Sequence, residues 1–162
     1  MFNVDYGRMI VQTIPKGTIV SYPFTVNDVE FICTLVELSC ELPDITDIAD
    51  DLITNEGVIS KASGTYWMDF DTVSNKENGT NYEPMQNSGF QFKHWVHLSA
   101  ALCEIIAFHQ DQYECEFYFA EPANARLGNA YERLLIPKLK ENGYNYYIDD
   151  TEDGGWYVFY KQ

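Results

Sequence analysis

The chain has 162 residues, 46% of them apolar and 15% aromatic, which is enough to bury a core and too sticky for a disordered chain. Its 25 acidic residues against 10 basic ones give a net charge of −15. Nucleic acid and anionic membrane are disfavoured as partners, because each phosphate is repelled at long range. The balance favours solubility, a basic protein partner or simple mutual repulsion between copies.

The first eighteen residues show weak periodicity and end in the turn signal Pro15-Lys16-Gly17. Met1 to Ile10 carry Asp5 and Arg8 and lack the apolar core of a secretory signal. Ile19 to Thr25 and Val29 to Glu37 read as β-branched and aromatic strands around a turn at Asn27-Asp28, with Pro23 best placed at a sheet edge. Ile45, Ile48, Ala49, Leu52 and Ile53 recur at helical spacing after Pro43 and predict a short acidic surface helix. Thr65 to Thr72 alternates as a strand, with Tyr66, Met68 and Phe70 on one side and Trp67, Asp69 and Asp71 on a wetter one.

A long polar loop over 73–89 follows, its length marking it as functional or mobile. A helix is predicted from about Phe90 to His109. Its apolar positions are Phe92, Trp95, Val96, Leu102, Cys103 and Ile106, widened by Leu98, Ile105 and Phe108. His109 closes it, where the imidazole would meet the C-terminal dipole. Glu114 to Ala120 is the clearest strand. Asn124 caps a second helix towards Lys140, kinked or divided by Pro137 and closed by Asn142-Gly143. Tyr144 to Asp149 and Trp156 to Lys161 form a hairpin around an acidic loop.

This order predicts an α+β, or mixed α/β, fold: a single mostly antiparallel sheet with one parallel step between 65–72 and 114–120. Helices lie on both faces, with that at 90–109 on one and that at 125–140 on the other. No repeat or composition break divides the chain, so 1–162 is one domain with its core over 19–161 and an N-terminal extension over 1–18. No apolar run approaches transmembrane length. Cys33, Cys40, Cys103 and Cys115 show no C-x-x-C or zinc spacing, which fits a reducing cytoplasm.

Other chemistry is weaker. His94 and His97 stand three apart on a helix with no third ligand at useful spacing, so no metal site is expected. Asp69 and Asp71 share a strand face, as do Glu114 and Glu116, and read either as carboxylates crowded at one end of the sheet or as a solvated edge. No Walker loop, G-x-S-x-G or dinucleotide fingerprint is present. Arg126, Arg133, Lys138 and Lys140 gather four of the ten basic residues in one helix, either to orient a partner or to pair with acids such as Glu132.

The element order, with the loop Gln86-Asn87-Ser88-Gly89-Phe90-Gln91, resembles the Gcn5-related N-acetyltransferase (GNAT) superfamily. There a Q/R-x-x-G-x-G/A loop opens the central helix, and its backbone N–H groups hold the cofactor pyrophosphate. Gln86 and Gly89 match that pattern. Gln91 departs from it, placing a long side chain where the family tolerates almost none. The segment from Ala123 to Leu134, with Asn124 and then Tyr131, is similar to the family's next helix. The resemblance implies that Tyr131 would act as general acid on the departing thiolate, either that or as an ordinary core tyrosine in the stripe Leu127, Tyr131, Leu134 and Leu135.

The stretches TYWMDFD, HWVHLSAAL, EFYFA and RLGNAYERLL also resemble a group of small phage-encoded proteins, some labelled acetyltransferases. Eighteen N-terminal residues are too few for the elements that wall the family's acceptor site. Near the loop, Lys76 and Lys93 face Asp69, Asp71, Glu77 and Glu83. The function expected is a phage-type acidic accessory protein, a non-enzymatic protein-binding module in a virion or against a host protein. It is expected to need no cofactor and to reside in the host cytoplasm or the virion. The alternative is an active N-acetyltransferase that uses acetyl-CoA. A third reading is a structural subunit of a larger assembly.

Overall fold

The computed structural model describes residues 1–14, 17–37, 64–80, 91–113, 115, 117–120, 125–151 and 154–161. The expected helix over 40–60 therefore lies outside the described residues. Among the described residues an eight-stranded sheet organises the chain: β1 (Phe2–Val4), β2 (Ile10–Ile14), β3 (Gly17–Val26), β4 (Val29–Glu37), β5 (Thr65–Thr72), β6 (Phe117–Ala120), β7 (Tyr144–Thr151) and β8 (Gly154–Lys161). They lie in the order β1-β3-β4-β5-β6-β8-β7, with β2 beside β3. Every pairing is antiparallel except β5 with β6, where Thr65, Tyr66 and Trp67 face Phe117, Tyr118 and Phe119. The fold is thus α+β with one parallel step.

The N-terminal residues, expected as an extension outside the core, belong to the sheet. β1 pairs with Phe24–Val26 and β2 with Gly17–Ser21, and a 3₁₀ turn at Tyr6–Arg8 bridges them. Pro23 explains the break. Its carbonyl accepts the Asp5 N–H at 2.9 Å, so its donor-less nitrogen faces the same side, opposite the turn where no ladder bond is needed. The β3–β4 hairpin turns at Asn27 and Asp28, both at positive φ (49° and 60°), as a two-residue turn of right-twisted strands requires.

Parallel strands cannot be joined by a tight turn. The connection from β5 to β6 carries α1 (Val73–Asn78) and α2 (Phe92–Gln112). α1 occupies the start of the segment expected to be a loop. Thr72 Oγ1 caps it by accepting the Asn75 N–H at 3.1 Å, and Gly79 ends it in the left-handed region at φ 68°. After β6 the chain runs through α3 (Ala125–Ala130), a π-helical turn (Tyr131–Leu135) and α4 (Ile136–Glu141). The Ile136 N–H reaches back five residues to the Tyr131 carbonyl. Pro137 behind it has no N–H to continue the ladder, so the predicted kink is absorbed as a π turn.

The helices at 92–112 and 131–141 were expected on opposite faces. They lie side by side on one. Leu98, Leu102, Ile105 and Ile106 from α2 and Tyr131, Leu135 and Leu139 pack into a single cluster with Tyr22, Phe24, Leu35, Met68, Tyr118 and Phe159 of the sheet. α1 bears on the other face, where the Asn75 amide donates to Asp71 at 2.8 Å and Lys76 reaches Asp69 at 2.9 Å. Phe92 and Val96, assigned to the apolar stripe from sequence, are exposed. They sit one turn apart, on the side of α2 away from Leu98 and Leu102.

Thr72→Ala removes the oxygen that caps α1 and leaves the Asn75 N–H short of a partner. Urea unfolding should show a loss of about 1 kcal/mol, while Thr72→Ser should retain most of it.

Candidate functional site

Of the residues the resemblance assigned to catalysis and cofactor binding, Gln91 and Tyr131 are described. Gln86, Asn87, Ser88, Gly89, Phe90 and Asn124 lie outside the described residues, as do Glu114 and Glu116.

Gln91 is the N-cap of α2, in extended backbone at φ −115°. Its N–H donates to His94 Nδ1 at 2.7 Å, the position a glutamate side chain takes in a capping box. Its carbonyl accepts the His94 N–H at 2.9 Å and the Trp95 N–H at 3.3 Å. The Gln91 amide, one of the donors that an anion at this helix terminus would draw on, is therefore satisfied within the chain. An imidazole nitrogen that accepts a hydrogen bond carries no proton there, so His94 adds no positive charge in this arrangement. His97, three residues on, contacts the Met1 amine through Nδ1 at 2.7 Å. The two imidazoles thus have separate partners, and no group of metal-ligating side chains occurs among the described residues.

Tyr131 opens the π turn and is 5% exposed. Its ring lies 6.1 Å from that of Phe70 and meets Tyr157 edge-on at 5.5 Å. Beside it, between Phe70, Trp95, Leu98, Leu102 and Leu135, is a gap of about 10 Å³. That is about the least that admits one water. Tyr157 donates to Glu132 Oε1 at 2.8 Å, so Glu132 serves the sheet in addition to any cation on its own helix. Lys138 pairs with Glu141 at 3.7 Å.

The acidic pair on β5 is individually satisfied. Asp69 holds Lys76, while Asp71 accepts the Thr72 N–H and the Asn75 amide, each at 2.8 Å. Asp71 is buried, so the face is not simply solvated. Lys76, one of the two cations expected near the loop, has its charge engaged by Asp69.

A polar cluster that sequence reading placed differently sits under α2. The helix runs past His109 to Gln112, and His109 turns inward, fully buried. Its Nδ1 meets the Tyr118 hydroxyl at 2.8 Å, and that hydroxyl also lies 3.3 Å from the Ile106 carbonyl. Tyr66 stands edge-on at 4.4 Å and Tyr113 stacks at 4.7 Å. His109 Nε2 and the Tyr22 hydroxyl are buried without hydrogen-bond partners among the described residues. Burial holds the His109 pKa down at about 3 and pushes those of Tyr22 and Tyr118 up. Burial likewise raises the thiol pKa of Cys33 and of Cys103, the latter to about 12, so both behave as small hydrophobes. The sequence reading set His109 at the helix end against the C-terminal dipole; its place in the spacing of Leu98, Leu102 and Ile105 was the signal that could have turned it inward.

Neutral His109 makes stability depend on pH with a definite sign. Below its ordinary value near 6.5 the unfolded chain takes up a proton that the folded chain refuses until about pH 3. Its contribution is complete above the unfolded value and falls as pH drops, by up to about 1.4 kcal/mol per pH unit. Urea unfolding across this window should show His109→Phe losing less stability on acidification than the parent. Parallel slopes would contradict the burial of a neutral imidazole.

No helix among the described residues is long and apolar enough to cross a membrane. Comparison of the chain with protein-family models, characterised proteins and solved structures finds no match in any of the three, which leaves the functional reading to the geometry above.

Proposed function

We propose that this chain is a non-enzymatic protein-binding module, an acidic accessory protein of phage type on a GNAT-like scaffold that has lost its cofactor. It acts in a virion or against a host protein. The observation that carries the reading is the setting of Tyr131. The residue that would protonate a departing thiolate is packed between Phe70 and Tyr157, beside a gap of about 10 Å³. A general acid must come within hydrogen-bond reach of its substrate. The amide bond from Gln91 to His94 and the pairing of Lys76 with Asp69 support it further.

Charge gives the partner its chemistry. With 25 carboxylate side chains against 10 cations, the chain attracts a basic protein surface from a distance and repels nucleic acid. A nucleic-acid-binding groove on a host protein is such a surface, and an acidic chain can occupy it in place of phosphates. The scaffold resemblance rests on the element order, in which α2 bridges the parallel pair β5 and β6, and it keeps an acetyl-CoA-dependent N-acetyltransferase as the alternative.

Affinity capture from a bacterial lysate should recover a basic protein, and its retention should weaken steeply as salt rises, because the attraction is between exposed charges. Tyr131→Phe should leave that capture unchanged. Retention indifferent to salt, or lost with the Tyr131 hydroxyl, would contradict the proposal.

A further inference from the structure

Two polar atoms in the layer between α2 and the sheet have no hydrogen-bond partner among the described residues: His109 Nε2 and the Tyr22 hydroxyl. They come from different elements, a helix and β3, yet their rings meet. Tyr22 stands edge-on to the imidazole, with centroids 6.3 Å apart. Both residues are 0% exposed, so bulk solvent serves neither atom. The rings around them are described. Tyr6 and Phe108 stand against Tyr22, while Tyr66, Tyr113 and Tyr118 stand against His109. Native proteins leave few buried polar atoms unpaired, and two of them at one ring contact call for a shared explanation.

The other side of the imidazole decides which atom donates and which accepts. The Tyr118 hydroxyl lies 2.8 Å from His109 Nδ1 and donates to the Ile106 carbonyl at 3.3 Å. A hydroxyl has one proton to give. With that proton on the carbonyl, Nδ1 carries the imidazole proton and donates it to the Tyr118 oxygen. His109 is held neutral by burial, so Nε2 is then a bare acceptor. The opposite tautomer sends the Tyr118 proton to Nδ1 and satisfies one bond fewer. Tyr22 keeps its own proton: burial, then the nearby Tyr113, Cys33, Tyr6 and Tyr66, hold its phenol well above the ordinary value. An acceptor thus faces a hydroxyl able to donate, and the two do not bond directly.

We infer that His109 Nε2 and the Tyr22 hydroxyl form a site for one internal water, which donates to Nε2 and accepts the Tyr22 hydroxyl proton. Two polar partners are the fewest that hold such a water, and one molecule then satisfies both orphaned atoms. The ligand is neutral, because neither group carries charge and the walls are aromatic rings. The water completes a polar brace. It runs from Tyr22 on β3 through both imidazole nitrogens to Tyr118 on β6 and the Ile106 carbonyl, so α2 is tied to two strands that are not neighbours in the sheet. The site is independent of the basic partner proposed above.

Nitrogen NMR of the full chain and its crystal structure test the inference together. The His109 spectrum should place the proton on Nδ1, and Nε2 should resonate upfield of a free unprotonated imidazole nitrogen, as one accepting a hydrogen bond does. The density should hold a single water within hydrogen-bond distance of both Nε2 and the Tyr22 oxygen. Tyr22→Phe keeps the ring and removes one anchor. It should move Nε2 towards the free value and leave the proton on Nδ1, whereas loss of packing alone would leave Nε2 where it was. A proton found on Nε2 would overturn the inference, as would an Nε2 already at the free value in the parent or unmoved by Tyr22→Phe. So would density in which either atom meets another protein atom in place of the water. The readings on the parent decide the matter even where the variant fails to fold.

Discussion

The parallel pairing of β5 with β6 constrains the rest of this molecule. Two neighbouring parallel strands need a crossover that climbs from the end of one to the start of the next, and here α2 is its descending limb. Once α2 lies across one face, the positions at 98, 102, 105, 106 and 109 must find cover in the sheet. Tyr22, Tyr66, Met68 and Tyr118 provide it. The helix after β6 then has α2 as a ready neighbour, and it settles beside α2 on the same face. The π turn and Pro137 fit within that packing.

The chemistry under α2 follows from the same choice. A helix rich in apolar residues carries His109 inward with them, onto a sheet that presents tyrosines. The result is a buried imidazole kept neutral, with one nitrogen bonded and the other without a partner among the described residues. A buried polar group without a partner costs on the order of 1–3 kcal/mol, and the aromatic contacts around His109 and Tyr22 offset it. Tyr131 belongs to the same layer. Its place between Phe70 and Tyr157 comes from the packing of two helices on one face, which leaves a gap of about 10 Å³ beside it.

Much of this was legible from alternation and turn chemistry. Thr65–Thr72 kept its predicted bounds because Tyr66, Met68 and Phe70 alternate through its middle, and Asn27-Asp28 and Asn142-Gly143 turn where their residues permit positive φ or a helix end. The N-terminal strands were missed because β1 is short, β2 shows no alternation, and their pairing is long-range. α1 was missed because its residues are polar. Thr72 before it and Gly79 after it were the readable signals. The face chosen by the second helix was not legible, since its stripe is apolar whichever side of the sheet receives it. At the candidate site, the burial of Tyr131 was readable in its helical stripe. The contact of His94 with the Gln91 amide was not, because a histidine three residues after a glutamine is a weak capping signal.

The central proposal is that the Gln91–His94 contact at the start of α2 and the packing of Tyr131 serve the fold and not a pyrophosphate cofactor. Thermal unfolding of the chain with increasing acetyl-CoA tests it most directly, because any ligand of the native state raises the melting temperature by mass action. The account predicts a melting temperature that does not move. A rise that grows with acetyl-CoA and disappears in Gly89→Glu would contradict it.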